Sequence, residues 1–268
     1  MGFLDRFLKP SEEKELGDFY GNLYDGLIEF HENQGLSEED ARKQAIGGDY
    51  ETFGHIERDA LLAIGYTGEE FLVDLGCGSG RLARKLVPLI KEGGAYLGLD
   101  VNQTLIHEAR QQVAKAGGGA AFQFKKIVDP VLPCAEKSVD LLVAFSVVTH
   151  IDLEDTYNYF VELKRTLKPT GRALISYLST EIEGHWNVFV QEAGMKAGPR
   201  NARVRNHVMV PGTLNRLAEK SGLAVLEDHP ADFPWIPLTE SVEMDGKKHN
   251  PGERIHLGQS CLILQPAP

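Results

Sequence analysis

Cysteine is scarce in this chain of 268 residues: Cys77, Cys134 and Cys261 are its three, far apart and without a C-x-x-C pairing. Their spacing offers no disulfide framework and no zinc site, and fits reduced thiols in a cytoplasm. Long apolar runs are also missing, so nothing in the sequence is long enough to cross a bilayer, and the expectation is a soluble, cytoplasmic protein. Positive charge is in short supply. Lys and Arg number 28 against 39 Asp and Glu, a net charge of -11. That balance argues against nucleic acid as a partner, because phosphate backbones are bound mainly through clustered Lys and Arg. The opening MGFLDRFLKP has no uninterrupted apolar h-region, since Asp5 and Arg6 break it, and Arg6 stands where a myristoylation motif needs Ser or Thr. Phe3, Leu4, Phe7 and Leu8 would share one side of a short helix, packing on the protein or on a second subunit in a homodimer, with a weak membrane contact as the alternative. No ligand cluster suggests a metal, and no repeat or low-complexity tract is present.

What is present divides into two regions. Residues 1 to 66 read as helical, with apolar pairs at helical spacing in Phe19-Tyr20, Leu23-Tyr24 and Leu27-Ile28, a capped start at Ser37-Glu-Glu-Asp, and a break at Gly47-Gly48. From residue 67 onward short apolar runs alternate with amphipathic segments, the pattern of a mostly parallel sheet wrapped by helices on both faces. Strands are expected at Phe71 to Leu75, Tyr96 to Asp100, Phe122 to Ile127, Leu141 to Phe145, Ala173 to Tyr177, Ala224 to His229 and Ser260 to Gln265. Helices are expected near Arg81 to Ile90, Gln103 to Lys115, Asp155 to Leu167 and Thr213 to Ser221. Seven strands so spaced make one doubly wound α/β sheet, with a loop at Pro230 to Gly258 and an insertion at Ser179 to Gly212. A closing antiparallel strand at the C-terminus would be consistent with that loop.

The most informative stretch is VDLGCGSGR. A strand delivers Asp74 and then Gly76, Gly78 and Gly80 allow positive φ and close approach of backbone to a ligand, while Arg81 opens a helix whose N-terminus attracts anions. No Gly-Lys-Ser/Thr follows, which excludes a P-loop, and the G-x-G-x-G spacing differs from the dinucleotide fingerprint. In YLGLDVN, Asp100 ends the next strand about 20 residues on, where a carboxylate can accept hydrogen bonds from ribose hydroxyls.

VDLGCGSG, LGLDVN, SVDLLVAFSVVTHI and LKRTLKPTGRALIS, in that order, resemble the class I S-adenosylmethionine-dependent methyltransferases over roughly residues 50 to 228. The resemblance implies a Rossmann-like fold, S-adenosylmethionine as methyl donor and S-adenosylhomocysteine as product. It implies that Asp74, Gly76, Cys77, Gly78 and Gly80 hold the methionine part and Asp100 the ribose. Val101 and Asn102 then lie beside the adenosine, Val128 and Asp129 meet the adenine, and Phe145 and Ser146 line the floor under the sulfonium. The donor is a cation with a zwitterionic tail, which suits Asp74 for its positive charges and the turn's N–H groups with Arg81 for its carboxylate.

The acceptor is written in other segments. Amide and adenine N-methyltransferases of this family carry Asn or Asp-Pro-Pro-aromatic after the fourth strand; this chain has Phe145-Ser146-Val147-Val148-Thr149-His150, similar to the members that methylate small molecules, often at a hydroxyl. His150 is the candidate general base, oriented by Asp152, or else a structural residue starting the next helix with Asp152 as its N-cap. His185 and His207 are its rivals. The insertion reads as a substrate lid, with Trp186 above the site and Arg200, Arg203 and Arg205 set to clamp an acceptor anion, or as a solvated loop. Tyr20, Tyr24 and Tyr50 resemble aromatic residues that close over the site, packing between helices being the other reading of the first two. A methyltransferase acting on protein, RNA or lipid, supported by the arginine patch, and a non-enzymatic cofactor-binding module stand as the alternatives.

Overall fold

A computed structural model of the chain describes residues 16–47, 49–244 and 246–268; the expected apolar face of Phe3, Leu4, Phe7 and Leu8 lies outside the described residues, as does Gly48. Three helices come first: α1 (Leu16–Asn33), α2 (Glu38–Ala45) and α3 (Tyr50–Ala63). Ser37 caps α2, its hydroxyl accepting from Asp40 N–H at 3.1 Å, and Glu38, Glu39 and Asp40 complement the helix dipole in the first turn. Asp49 caps α3 in the same way.

The sheet elements follow as β1 (Phe71–Leu75), α4 (Arg81–Leu86), β2 (Ala95–Asp100), α5 (Gln103–Lys115), β3 (Phe122–Lys126), β4 (Val139–Ala144), α6 (Leu153–Thr166) and β5 (Leu167–Ser179). The insertion holds α7 (Glu183–Ala193), α8 (Ala197–Asn201) and β6 (Val208–Met209), after which come α9 (Thr213–Lys220) and β7 (Leu223–His229). Four short strands, β8 (Ile236–Pro237), β9 (Val242–Met244), β10 (Lys247–His249) and β11 (Arg254–Ile255), precede β12 (Ser260–Pro266).

All seven expected strands form, in the order β3-β2-β1-β4-β5-β12-β7, with the two-residue β6 added beside β5. β12 runs antiparallel to both neighbours, between β5 and β7, and the other pairings along the sheet are parallel. Successive residues of a strand bury on opposite faces: Leu72, Leu141 and Val143 join the core with Leu82 and Ile106, while Val73, Leu142 and Ala144 join the one with Phe160 and Leu163. That double burial is why the central strands β1 and β4 read as nearly unbroken apolar runs. Strand order reverses between β1 and β4, and open α/β sheets bind ligands in the crevice above such a point.

Two expectations need correction. The helix expected to reach Ile90 ends at Leu86. The segment expected as a loop between residues 230 and 258 folds into two ribbons, β8 with β11 and β9 with β10, and its Trp235, Ile236, Leu238, Val242, Ile255 and Leu257 enter the core with Ile56, Ala60 and Leu61 of α3. Strands of two or three residues are too short to show alternation, so Pro and charge dominated the pattern.

Candidate active site

Above the switch point the carboxyl ends of β1, β2 and β4 open into one cleft. Asp74, the Gly76-Cys77-Gly78 turn, Arg81, Asp100, Val101, Phe145, Ser146 and His150 line it from the sheet, and Tyr20, Tyr24, Ile46 and Glu57 close it from α1, the end of α2 and α3.

The turn is bolted to the neighbouring strand. Gly76 N–H and Cys77 N–H both donate to the Leu99 carbonyl, at 2.7 and 3.0 Å. Gly80 has φ of +85° and a Cβ there would lie 2.9 Å from Cα of Ala109 on α5, so only glycine lets α4 start this close to its neighbour. Tyr50, expected to close over the site, lies beneath the turn instead, its hydroxyl donating to the Ser79 carbonyl at 3.0 Å.

Asp100 receives Gly78 N–H on Oδ2 at 2.9 Å and Asn102 N–H on Oδ1 at 2.8 Å. A carboxylate offers about four lone-pair positions, so each oxygen keeps one for a ligand, a fit to the paired hydroxyls of a ribose. Burial pushes its pKa up to about 6, against the backbone N–H groups that favour the charged form. Asp74 is pushed up to about 8, first by burial and then by the charges of Glu57 and Asp100, with the Tyr96 hydroxyl donating to its Oδ2 at 2.5 Å and Arg81 opposing. Two carboxyls on one buried wall without a cationic partner, Asp74 and Asp100, suit a positively charged ligand, and the sulfonium and ammonium of S-adenosylmethionine supply that charge, while Glu57 beside them is paired with Arg81.

Arg81 donates from Nε to Glu57 at 3.1 Å, makes a second, closer contact to Glu57, and reaches the Gly47 carbonyl at 2.8 Å. It lines the cleft with its guanidinium turned to those partners. Glu57 is a charged residue of the cleft that the sequence did not announce; the signal was an acid inside an apolar helical stripe, and it is 3% exposed.

Ser146 leaves β4 at φ +57°, a conformation rare for a residue with Cβ. Its N–H donates to Ser176 Oγ at 2.7 Å and Gln259 Nε2 donates to its Oγ at 2.8 Å, so β5 and the approach to β12 hold the strained residue in place. His150 follows, its ring in the cleft wall with Nδ1 2.6 Å from the Arg205 carbonyl. A carbonyl only accepts, so Nδ1 carries the proton and Nε2 holds the lone pair. Burial lowers the pKa of the ring. Asp152, expected to orient it, is turned away, 62% exposed with Oδ1 3.7 Å from His207 Nε2, and caps α6 by position without a side-chain hydrogen bond.

Other expected site residues fall elsewhere. Asn102 spends its side chain on Leu105 N–H, the Gly21 carbonyl and Asp25, tying α1 to the sheet, and does not face the cleft. Ile127 lines the cleft where Val128 and the exposed Asp129 were expected. Both nitrogens of His185 are engaged, Nδ1 with Ser179 N–H at 3.0 Å and Nε2 with the Gly258 carbonyl at 2.9 Å, which leaves no lone pair for catalysis. Neither it nor His207 lines the cleft. Trp186 stacks on Phe189 with ring centroids 5.0 Å apart, both well exposed on α7. Arg203 pairs with Glu192 and Arg200 reaches the Glu192 carbonyl at 3.4 Å, so neither stands over the cleft. Tyr20 donates to Asp155 at 3.2 Å, and Tyr24 meets the His150 ring edge-on at 6.4 Å; both line the cleft, which the helix-packing reading alone does not explain.

Among the described residues no group of three or more His, Cys, Asp or Glu is placed to hold a metal ion, and no helix is long and apolar enough to cross a membrane.

Residues 72–171 match the family model described as a methyltransferase domain. The ubiquinone/menaquinone biosynthesis C-methyltransferase UbiE of Hahella chejuensis is 27% identical over 105 residues, 39% of this chain and 41% of that protein, so the match spans about two fifths of the relative's length. Among solved structures, the magnesium protoporphyrin IX methyltransferase ChlM of Synechocystis PCC 6803 with bound SAH is similar at a TM-score of 0.57 and 15% identity, over 93% of this chain and 97% of that one. The mitomycin 7-O-methyltransferase MmcR reaches a TM-score of 0.59 at 18% identity, over 91% of this chain and 60% of that one. At such identities these structures speak for the fold; residues 72–171 carry the methyltransferase domain, and with the glycine turn and its two acids they mark S-adenosylmethionine as the cofactor, in a chain similar to the class I S-adenosylmethionine-dependent methyltransferases.

Proposed function

We propose that this protein transfers a methyl group from S-adenosylmethionine to a hydroxyl of a small-molecule acceptor, with His150 as general base. The observation that carries the reading is the His150 ring in the wall of the cleft that holds Asp74 and Asp100, with Nδ1–H fixed by a carbonyl and Nε2 left as an acceptor. A bound S-adenosylmethionine supplies an electrophilic methyl on a sulfonium. Everything else falls to the chain. Glu57, Asp74 and Asp100 hold the donor's cations and ribose, Tyr20 and Tyr24 narrow the mouth, and the strained Ser146 fixes where β4 ends and hence where His150 stands. Methyl transfer is an in-line displacement, so positioning supplies most of the rate, and a hydroxyl acceptor needs its proton removed as the bond forms. The lowered pKa of His150 keeps the ring neutral and able to take that proton at neutral pH.

The arginine patch that favoured a macromolecular acceptor is drawn into the insertion, with Arg203 on Glu192, so no specific observation favours that reading. A cytoplasmic location goes with the three free thiols.

The test is turnover of a panel of hydroxylated small molecules with isotopically methyl-labelled S-adenosylmethionine, read by product mass and by the position of the label. His150→Ala is expected to lower turnover about 10²–10⁴-fold while calorimetric affinity for S-adenosylmethionine stays unchanged. Label on carbon or nitrogen, or an unaffected variant, overturns the hydroxyl and base assignments. Transfer only to protein, RNA or lipid, or binding of both S-adenosylmethionine and S-adenosylhomocysteine with no transfer at all, replaces the proposal with one of its alternatives.

A further inference from the structure

His150 is oriented by a group that no motif announces. The Arg205 carbonyl takes its Nδ1–H, and the same peptide unit presents on its other side the N–H of Asn206, which donates to Oε1 of Glu192 at 3.1 Å. Glu192 comes from α7 and is 5% exposed. Its Oε1 also takes Arg203 in a closer contact, whereas its Oε2 is buried without a hydrogen-bond partner among the described residues. A buried carboxylate, a peptide group and an imidazole therefore stand in series. A peptide whose N–H points at a carboxylate is polarised, and its carbonyl becomes a stronger acceptor for the next donor in the chain.

We propose that Glu192 is a positioning residue for His150: acting through the Arg205–Asn206 peptide, it holds the ring as the Nδ1–H tautomer and steadies the positive charge the ring takes on when Nε2 receives a proton. The value of this for catalysis rests on the reading of His150 as the base; the coupling itself concerns the ring and is measured without turnover.

The charged and titratable groups around His150 set the signs. Glu192 favours the protonated ring, His207 opposes it, and Tyr24 meets it edge-on with a hydroxyl that burial keeps neutral. Asp152, its neighbour in sequence, faces His207 instead, and the side chain of Arg205 acts on His207 as well. Replacing Glu192 by Gln keeps the shape and an oxygen for Asn206 N–H but removes the charge.

Histidine ¹⁵N spectra of the full chain across pH test the coupling, with His150 assigned from a His150→Gln spectrum. In the unsubstituted protein the ring is expected as a single Nδ1–H tautomer, and the Asn206 amide resonance is expected to move with the His150 titration. Glu192→Gln is expected to shift that titration to lower pH and to mix the tautomers, and Asp152→Asn to do so less. A flat Asn206 amide, or a His150 titration that Asp152→Asn moves and Glu192→Gln does not, overturns the proposal; the amide reading needs no variant to fold. A shifted titration together with full turnover by His150→Ala upholds the coupling and sinks the general-base reading, so the two failures are distinguishable.

Discussion

The two walls of the cleft are built in opposite ways. Most of the wall proposed for the donor comes from one strand, turn, helix and strand, with Asp74, Gly76, Cys77, Gly78 and Asp100 tied together by backbone hydrogen bonds to Leu99 and Asp100, and Glu57 is added from α3. The wall proposed for the acceptor comes from Tyr20 and Tyr24 on α1 and His150 after β4, and His150 is backed in turn by the peptide of Arg205 and Asn206 beyond α8 and by Glu192 on α7. One wall is a local motif and the other an assembly. The contrast teaches where specificity is stored. A donor that never changes can be held by one compact stretch, whereas an acceptor site made of separate segments can be altered one segment at a time.

Substitutions that act on one wall alone sharpen this division, and any that moves both breaks it. The largest effect is expected from His150→Ala, which should cut turnover about 10²–10⁴-fold with calorimetric affinity for S-adenosylmethionine unchanged; loss of that affinity would make the walls one unit. Next is Asp100→Ala, which removes the acceptor of Gly78 N–H and Asn102 N–H as well as the proposed ribose contact. Its affinity for S-adenosylmethionine should fall roughly 100-fold, the equivalent of about 2.7 kcal/mol, again by calorimetry.

A smaller effect concerns charge. Asp74 titrates at about 8 and Asp100 at about 6 in the folded protein, both above the ordinary 3.8. A group whose folded pKa is raised by burial binds more protons folded than unfolded, so its contribution to stability is greatest in acid and is lost as pH rises through the folded value. Asp74→Asn should therefore gain on the unsubstituted protein between pH 5 and 9, by about 2–4 °C in melting temperature. The same protonated Asp74 predicts proton release when the cationic donor binds near pH 7, read by calorimetry in buffers of different ionisation enthalpy. Absence of both signals would show Asp74 already charged without a ligand. The smallest effect is expected from Tyr50→Phe, which leaves the buried Ser79 carbonyl without its donor at a cost of about 1 kcal/mol in thermal melts, with His150 untouched.

Much of the fold was legible in the sequence. The central strands β1, β4, β5 and β12 were readable because they are buried on both faces and so appear as apolar runs, and the carboxyl end of β1 was readable because positive φ at Gly76, Gly78 and Gly80 admits little but glycine. The ribbons between residues 230 and 258 were not, since strands of two or three residues carry no readable period. Glu57 could be suspected only as an acid out of place in an apolar stripe. Asn102 and Arg81 stand in the stretches expected to bind the donor, yet their side chains serve the α1 helix and Glu57.

By itself, then, the sequence determined the doubly wound architecture and the donor turn, because both depend on burial periodicity and backbone sterics that act between near neighbours. Only the tertiary structure decided that Arg205 and not Asp152 orients His150, that His185 is consumed by Ser179 and Gly258, and that Glu57 joins Asp74 and Asp100 on one acidic wall. The reason is that a hydrogen bond to a backbone carbonyl, or the field of a carboxylate in a dry cleft, depends on which atoms meet in space. A carbonyl has no residue type by which a sequence could announce it.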